Sequence, residues 1–118
     1  MTHRVLIVDD HSDFRKLARA VLERDGFDVV GEAVDGSTAL AAVAAIHPDV
    51  VLLDVQLPDA NGFDIARSLG ATADGPIVVM TSTRDLADYG GRLAASGARG
   101  FIPKSRLSGR MLAQLVKG

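Results

Sequence analysis

The stretch Val50-Val51-Leu52-Leu53-Asp54-Val55-Gln56-Leu57-Pro58 sets four apolar residues ahead of a carboxylate and turns at a proline. A run with no polar face reads as a strand covered on both sides, the pattern of a parallel sheet rather than of a half-solvated antiparallel one. Asp54 then stands at the carboxyl end of that strand. In open α/β sheets, ligands gather at that edge, where the strand order reverses.

Outward from this strand the same pattern recurs. Val5-Leu6-Ile7-Val8 and Pro76-Ile77-Val78-Val79-Met80 are further all-apolar runs. Phe27 to Ala33 carries a partly polar face suited to a sheet edge, and Gly100-Phe101-Ile102-Pro103 ends in a proline that only an edge strand tolerates. Between the strands the period changes to that of a helix. Phe14, Leu17, Ala18, Val21 and Leu22 form one stripe, with Ser12 expected as its cap and Gly26 as its end. Ser37 to His47 is expected as a second helix, stopped by Pro48, and Phe63 to Leu69 as a third. Leu86, Tyr89, Leu93 and Ala94 predict a fourth helix, the loosest, because Gly90-Gly91 in its middle costs about 1 kcal/mol per glycine relative to alanine. Met111, Leu112, Leu115 and Val116 mark a fifth. Five strands alternating with five helices predict an α/β fold, a doubly wound five-stranded parallel sheet joined by right-handed crossovers.

At 118 residues, with 47% hydrophobic and 24% charged residues, the chain is expected to form one domain over 1–118. The absence of cysteine excludes disulfides, thiolate metal sites and a thiol nucleophile, and fits a reducing compartment. A net charge of −2 offers no general attraction to nucleic acid or to anionic lipid, so direct DNA binding is not expected. The apolar run after Met1-Thr2-His3-Arg4 is too short for a secretory core, and no segment approaches the ~20 apolar residues of a membrane span. The reading is of a soluble, cytoplasmic chain without membrane contact.

The strands deliver polar residues to one edge: Asp9-Asp10 after the first, Asp54 after the third, Thr81-Ser82 after the fourth and Lys104 after the fifth. Any one of these is an ordinary loop or cap residue. Three carboxylates in one pocket, however, must take up protons or share a cation. Hard carboxylate oxygens suit magnesium, which keeps several waters and is often completed by a phosphate. Asp54 can then act as a nucleophile toward a phosphoryl group, with Lys104 adding a point charge and Thr81 a hydrogen bond. His11 is read as a helix-start residue rather than a ligand, and His3 and His47 as surface residues. Asp59 and Asp64 are read as turn and first-turn acids, and Arg106, Arg110 and Lys117 as a solvated helix face.

Taken together, these residues carry a resemblance. Asp9-Asp10, the pattern D-x-x-L-P-x-x-x-G from Asp54 through Leu57-Pro58 to Gly62, Thr81, and Gly97-Ala98-x-Gly100-Phe101-x-x-Lys104 resemble the receiver domain of two-component response regulators over essentially the whole chain. The resemblance implies a flavodoxin-like (βα)5 fold with strand order 2-1-3-4-5. It implies Asp54 as phosphoacceptor, supplied by a sensor histidine kinase or phosphotransfer protein. Magnesium would be held by Asp10, Asp54 and the Gln56 backbone carbonyl, with Asp9 acting directly or through water, while Lys104 contacts the phosphoryl oxygens. The implied switch is Thr81 moving toward the phosphate and the Phe101 ring turning inward, which alters a face of the fourth helix, fifth strand and fifth helix that meets an output domain or protein. A phosphorylation-dependent homodimer is a further partner the resemblance allows. Self-phosphotransfer and slow autodephosphorylation are the only chemistry it implies, so the chain is not expected to be a metabolic enzyme.

The sequence departs from the common pattern in three places. Ser105 follows Lys104 where many receivers have proline, Phe101 lacks the hydroxyl of the frequent tyrosine, and Gly90-Gly91 interrupts the signalling helix. The start Asp9-Asp10-His11-x-x-x-Arg15 and the end Pro103-Lys104-Ser105-x-Leu107-Ser108-Gly109 look like receivers that precede helix-turn-helix output domains; a stand-alone receiver and a part of a longer regulator both agree with them. Two rivals compete. A haloacid dehalogenase-type phosphatase needs a second Asp two residues after the nucleophile, and Gln56 stands there. A degenerate, phosphate-independent receiver would lack part of the set Asp10, Asp54, Thr81 and Lys104, and all four are present. A dinucleotide-binding module would need G-x-G-x-x-G after a strand, which does not occur.

Overall fold

The computed structural model describes residues 3–71 and 74–117. Five strands, β1 (Arg4–Val8), β2 (Asp28–Ala33), β3 (Val50–Asp54), β4 (Ile77–Ser82) and β5 (Gly100–Pro103), form one parallel sheet in the order β2-β1-β3-β4-β5. The α-helices are α1 (Ser12–Arg24), α2 (Gly36–Ile46), α3 (Gly62–Gly70), α4 (Arg92–Ser96) and α5 (Gly109–Lys117). Short 3-10 turns occupy Leu86–Tyr89 and Lys104–Arg106. The doubly wound sheet and its strand order agree with expectation, as do the edge positions of β2 and of the proline-bearing β5.

Alternation along the strands divides the core in two, because successive side chains point to opposite faces of a sheet. Val5, Ile7, Val50, Leu52, Val79 and Ile102 pack with Ala18 and Leu22 of α1 and Leu112 and Val116 of α5. Leu6, Val8, Val51, Leu53, Val78 and Met80 pack on the other face with Ala39 of α2 and with Phe63, Ile65, Ala66 and Leu69 of α3. The central strands are apolar throughout because both faces are covered: Val50 to Leu53 are all buried.

Several element boundaries differ from the sequence reading. Ser12 does not cap α1; His11 occupies the N-cap position without a side-chain hydrogen bond, since the loop is organised instead by the His11 amide donating to Asp9 Oδ1 at 2.8 Å. α2 starts one residue before Ser37, where Asp35 accepts from the Thr38 amide and the Thr38 hydroxyl answers in a capping box. β4 continues through Thr81-Ser82, drawn on by pairing of Thr81 with Asp54 and of Ser82 with Pro103. The largest departure is the fourth helix, which is not continuous. A 3-10 turn ends at Tyr89, Gly90 takes φ +58° with ψ −132°, and α4 restarts at Arg92 for five residues. A backbone that L side chains rarely adopt is available to glycine, so the Gly90-Gly91 pair breaks the helix rather than loosening it.

Candidate functional site

Asp9, Asp54, Thr81 and Lys104 come together at the carboxyl edge of the sheet, and parity explains how. Each lies an even number of residues beyond core side chains of one face: Asp9 after Val5 and Ile7, Asp54 after Val50 and Leu52, Thr81 after Val79, Lys104 after Ile102. All four therefore continue the face that α1 and α5 cover, past the end of its apolar core. The edge lies where chain direction diverges: from β1 the chain crosses to β2 on one side, and from β3 to β4 on the other.

Lys104 Nζ lies 2.6 Å from Asp9 Oδ2 and 3.2 Å from Asp54 Oδ2. The other Asp54 oxygen accepts from the Gln56 amide at 3.3 Å. Asp9, Asp54 and Thr81 are buried, whereas Asp10 is exposed at the rim. The Asp9 Oδ2 contact is a close charge pair that lacks the angles of a hydrogen bond, which leaves this fully buried oxygen without a hydrogen-bond donor. The aliphatic stem of Lys104 reaches over α1, and its ammonium lies 4.7 Å from the centre of the Phe14 ring. Arg15, also on α1, donates from Nη1 to the Asp9 carbonyl at 2.6 Å and pairs through Nε with Glu32 at 3.0 Å, which ties the β1 loop to β2.

The protonation equilibria follow from this packing. Burial first, and then the charge of Asp9, push the Asp54 carboxyl above the usual carboxylate range; Lys104 and the Gln56 amide oppose the rise without cancelling it. Burial pulls the Lys104 ammonium toward deprotonation, but its close pairing with Asp9 and the charge of Asp54 outweigh burial, so it stays above the ordinary lysine value. Three carboxylates face a single ammonium, and the surplus negative charge together with the donor-less Asp9 oxygen fits a hard divalent cation such as magnesium. Ligand atoms of Asp9, Asp10, His11 and Asp54 lie within 4.8 Å of one another.

Gly62 shapes this corner. A methyl group on it would come within 2.2 Å of the Asp54 carbonyl oxygen, and its amide donates to the Val55 carbonyl at 2.6 Å. The start of α3 is thereby pressed against the end of β3, behind the carboxylate.

Next to Thr81, Ser82 Oγ and the Tyr89 hydroxyl are 2.5 Å apart, and Ser82 Oγ accepts from the Arg84 amide at 3.0 Å. The Tyr89 ring lies edge-on to Phe63 with centroids 5.4 Å apart and is 6.1 Å from the Phe101 ring. Phe101 is half-buried and packs on the opposite sheet face from Thr81. It pairs in register with Met80.

The sequence reading passed over Tyr89 as a site neighbour, Phe14 and Arg15. It set aside His11, whose Nδ1 lies 3.1 Å from Asp9 Oδ1 and 3.2 Å from Asp10 Oδ1. Adjacency to the acidic pair was the signal available for His11; the others are brought in by helix packing. Asp59, read as a turn former, reaches a different element and accepts from the Gly36 and Ser37 amides at the start of α2. Those two N–H donors hold its carboxyl below the usual range. A groove of about 830 Å3 lies at the opposite edge of the sheet between α2, α3 and the β4 approach and contains none of the site carboxylates. A second depression, about 470 Å3 over His11, Phe14, Leu17, Thr83 and Lys104, adjoins the acidic cluster through His11 and Lys104.

Comparison with known proteins gives one answer. The model of the response regulator receiver domain family matches residues 5–116. The chain is 42% identical over 106 residues to the DNA-binding response regulator MtrA of Mycobacterium tuberculosis, covering 88% of this chain and 45% of that one, so it spans less than half the length of that relative. Among solved structures, the signal receiver domain of NarL from Mycobacterium tuberculosis superposes with a TM-score of 0.89 at 31% identity, over 99% and 98% of the two chains. The BeF3-activated N-terminal receiver domain of RstA from Klebsiella pneumoniae superposes with a TM-score of 0.82 at 29% identity, over 95% and 94%.

Proposed function

The chain belongs to the response regulator receiver domain family, a phosphorylation-dependent switch of two-component signalling, and on that premise we propose that Asp54 is its phosphoacceptor. The observation that carries this reading is the convergence on Asp54 Oδ2 of a buried lysine that also neutralises Asp9. Asp54 is held on a rigid apolar strand, with one oxygen engaged by the Gln56 amide and the other by an ammonium that a phosphoryl group can draw away.

A carboxylate oxygen of Asp54 attacks phosphorus, a P–O bond forms, and the bond from phosphorus to the donor breaks; the donor leaves as free imidazole of a histidine kinase, or as acetate from acetyl phosphate. Water later attacks the same phosphorus and releases inorganic phosphate and the original carboxylate. Asp9, Asp10, Asp54 and the Gln56 carbonyl would hold magnesium, which supplies charge neutralisation for the phosphoryl oxygens. Lys104 exchanges its pairing with the carboxylates for the new phosphoryl oxygens, and the Thr81 hydroxyl, one strand away, donates to them.

The aspartyl phosphate carries roughly −1.5 to −2 charge where the carboxylate carried about −1, spread over three exposed acceptor oxygens, and Thr81, Ser82 and Tyr89 couple it to the segment leading into α4. Phe101 turning inward, with α4, β5 and α5 as the face read by an output domain or partner, completes the proposed switch. The partner upstream is a sensor histidine kinase or phosphotransfer protein. Among the described residues no helix is long and apolar enough to cross a membrane.

The test is incubation with magnesium and acetyl phosphate, followed by mass spectrometry. Wild type acquires one phosphoryl group and Asp54→Ala none; an unmodified wild type, or an undiminished adduct on the variant, would overturn the assignment.

A further inference from the structure

We infer that His11 supplies an imidazole ligand to the cation held by Asp9 and Asp10, so that this receiver takes first-row transition divalent ions as well as magnesium. The inference rests on the reading of the acidic pocket as a metal site.

Three ligand atoms carry it. His11 Nδ1 is 3.1 Å from Asp9 Oδ1 and 3.2 Å from Asp10 Oδ1. Two ligands at right angles, each about 2.1 Å from a metal, are separated by about 3.0 Å. The imidazole and the two carboxylates are therefore spaced as neighbouring corners of one coordination shell. Hydrogen bonding alone explains the arrangement poorly, because Nδ1 carries at most one proton and one carboxylate suffices to accept it.

A second observation is independent of the first. Among the described residues, fully buried Asp9 Oδ2 makes no hydrogen bond and has only the Lys104 ammonium as counter-charge, which it shares with Asp54. The surplus carboxylate charge calls for a further cation, and His11 stands at the other Asp9 oxygen, Oδ1, in the depression it shares with Lys104.

The loop holds the ring there. The His11 amide donates to Asp9 Oδ1 at 2.8 Å, and the Asp9 carbonyl accepts from Arg15 at 2.6 Å, so both ends of the three-residue turn are fixed. The His11 side chain is 68% exposed, and a cation reaches it from solvent without opening the fold. An all-oxygen site suits magnesium; an imidazole added to it shifts preference along the series in which cobalt and nickel bind nitrogen ligands more tightly than manganese.

The experiment is calorimetric titration of the chain with Co2+ and, separately, with Mg2+, for wild type, His11→Asn and His47→Asn, with proton NMR of the Co2+ form. His11→Asn is expected to lower the ratio of Co2+ to Mg2+ affinity at least about tenfold, while His47→Asn leaves the ratio at its wild-type value. The His11 ring protons should move far outside the diamagnetic range. An unchanged ratio in His11→Asn, ring protons at their metal-free positions with Co2+ bound, or Co2+ binding undiminished by Asp9→Asn would each overturn the inference. The receiver reading is checked apart from it by the acetyl phosphate adduct with Mg2+: an adduct together with an unchanged ratio removes the role of His11 alone, whereas a lowered ratio without any adduct supports that role and removes Asp54 as phosphoacceptor.

Discussion

The ammonium of Lys104 is closer to Asp9 than to Asp54, at 2.6 Å against 3.2 Å, so the residue proposed to meet the phosphoryl group is already the counter-ion of the acidic pocket. Its side chain is 10% exposed, and the carboxylates it serves are more deeply buried still.

Removing that ammonium should therefore cost stability as well as phosphotransfer. Lys104→Met leaves two buried carboxylates uncompensated, and a loss on the order of 3 kcal/mol is expected in metal-free buffer at neutral pH. Because the lysine pKa is raised in the fold, its stabilising share is present at neutral pH and fades as pH climbs through the raised value. Urea unfolding at several pH values measures this, and added Mg2+ should recover part of the loss. A variant as stable as wild type at pH 7 would show that the pair is not a structural counter-ion.

Asp54→Asn should raise the midpoint of thermal unfolding near neutral pH. The Asp54 pKa is raised on folding, so the fold favours the neutral acid: its stability share is complete below the unfolded pKa and is lost as pH rises through the folded one. An amide removes that loss, and the advantage of the variant should close as pH falls below the carboxylate range. Thermal scans followed by circular dichroism from acid to neutral pH test the trend; an advantage that grows toward acid would contradict the sign.

The Ser82–Tyr89 hydroxyl pair joins β4 to the turn before α4. Tyr89→Phe leaves Ser82 with the Arg84 amide alone and is expected to cost about 1 kcal/mol, with Ser82→Ala similar. The double variant should lose little more than either single one, since both remove one interaction. Full additivity in denaturant titrations would indicate that the pair is not coupled.

The two neighbouring glycines should respond oppositely to alanine. Gly91 has φ −84° and ψ 6°, and nothing lies within 4 Å of where its Cβ would sit. Gly91→Ala should thus stabilise by about 0.4–1 kcal/mol through the unfolded chain. Gly90, with φ +58° and ψ −132°, is in a region closed to side chains, and Gly90→Ala should destabilise by about 1–3 kcal/mol. Equal effects in paired unfolding curves would mean that the break between Tyr89 and Arg92 is not set by the Gly90 backbone.

The gathering of the candidate site residues was readable because strand parity and strand ends are local. Asp9, Asp54, Thr81 and Lys104 announce themselves as the polar residues that follow apolar runs, and the family pattern adds Phe101 and Gln56. The fourth helix misled because the spacing of Leu86, Tyr89, Leu93 and Ala94 is helical, yet one glycine conformation divides it into a 3-10 turn and a short helix. Ser12 misled for a related reason: it is a good capping residue one position too late, and the Asp9 carboxylate had already claimed the loop amide.

The sequence by itself determined a parallel, doubly wound sheet with acids, a hydroxyl and an ammonium at one edge, because a strand buried on both faces must be apolar throughout and can turn polar only where it leaves the core. Tertiary structure alone decided what else stands around them. Phe14 beneath Lys104, Tyr89 against Ser82, His11 over the acidic pair and Asp59 at the start of α2 are placed by helix packing and loop folding. Contacts of that kind depend on the relative positions of whole elements, which no local pattern of apolar and polar residues encodes.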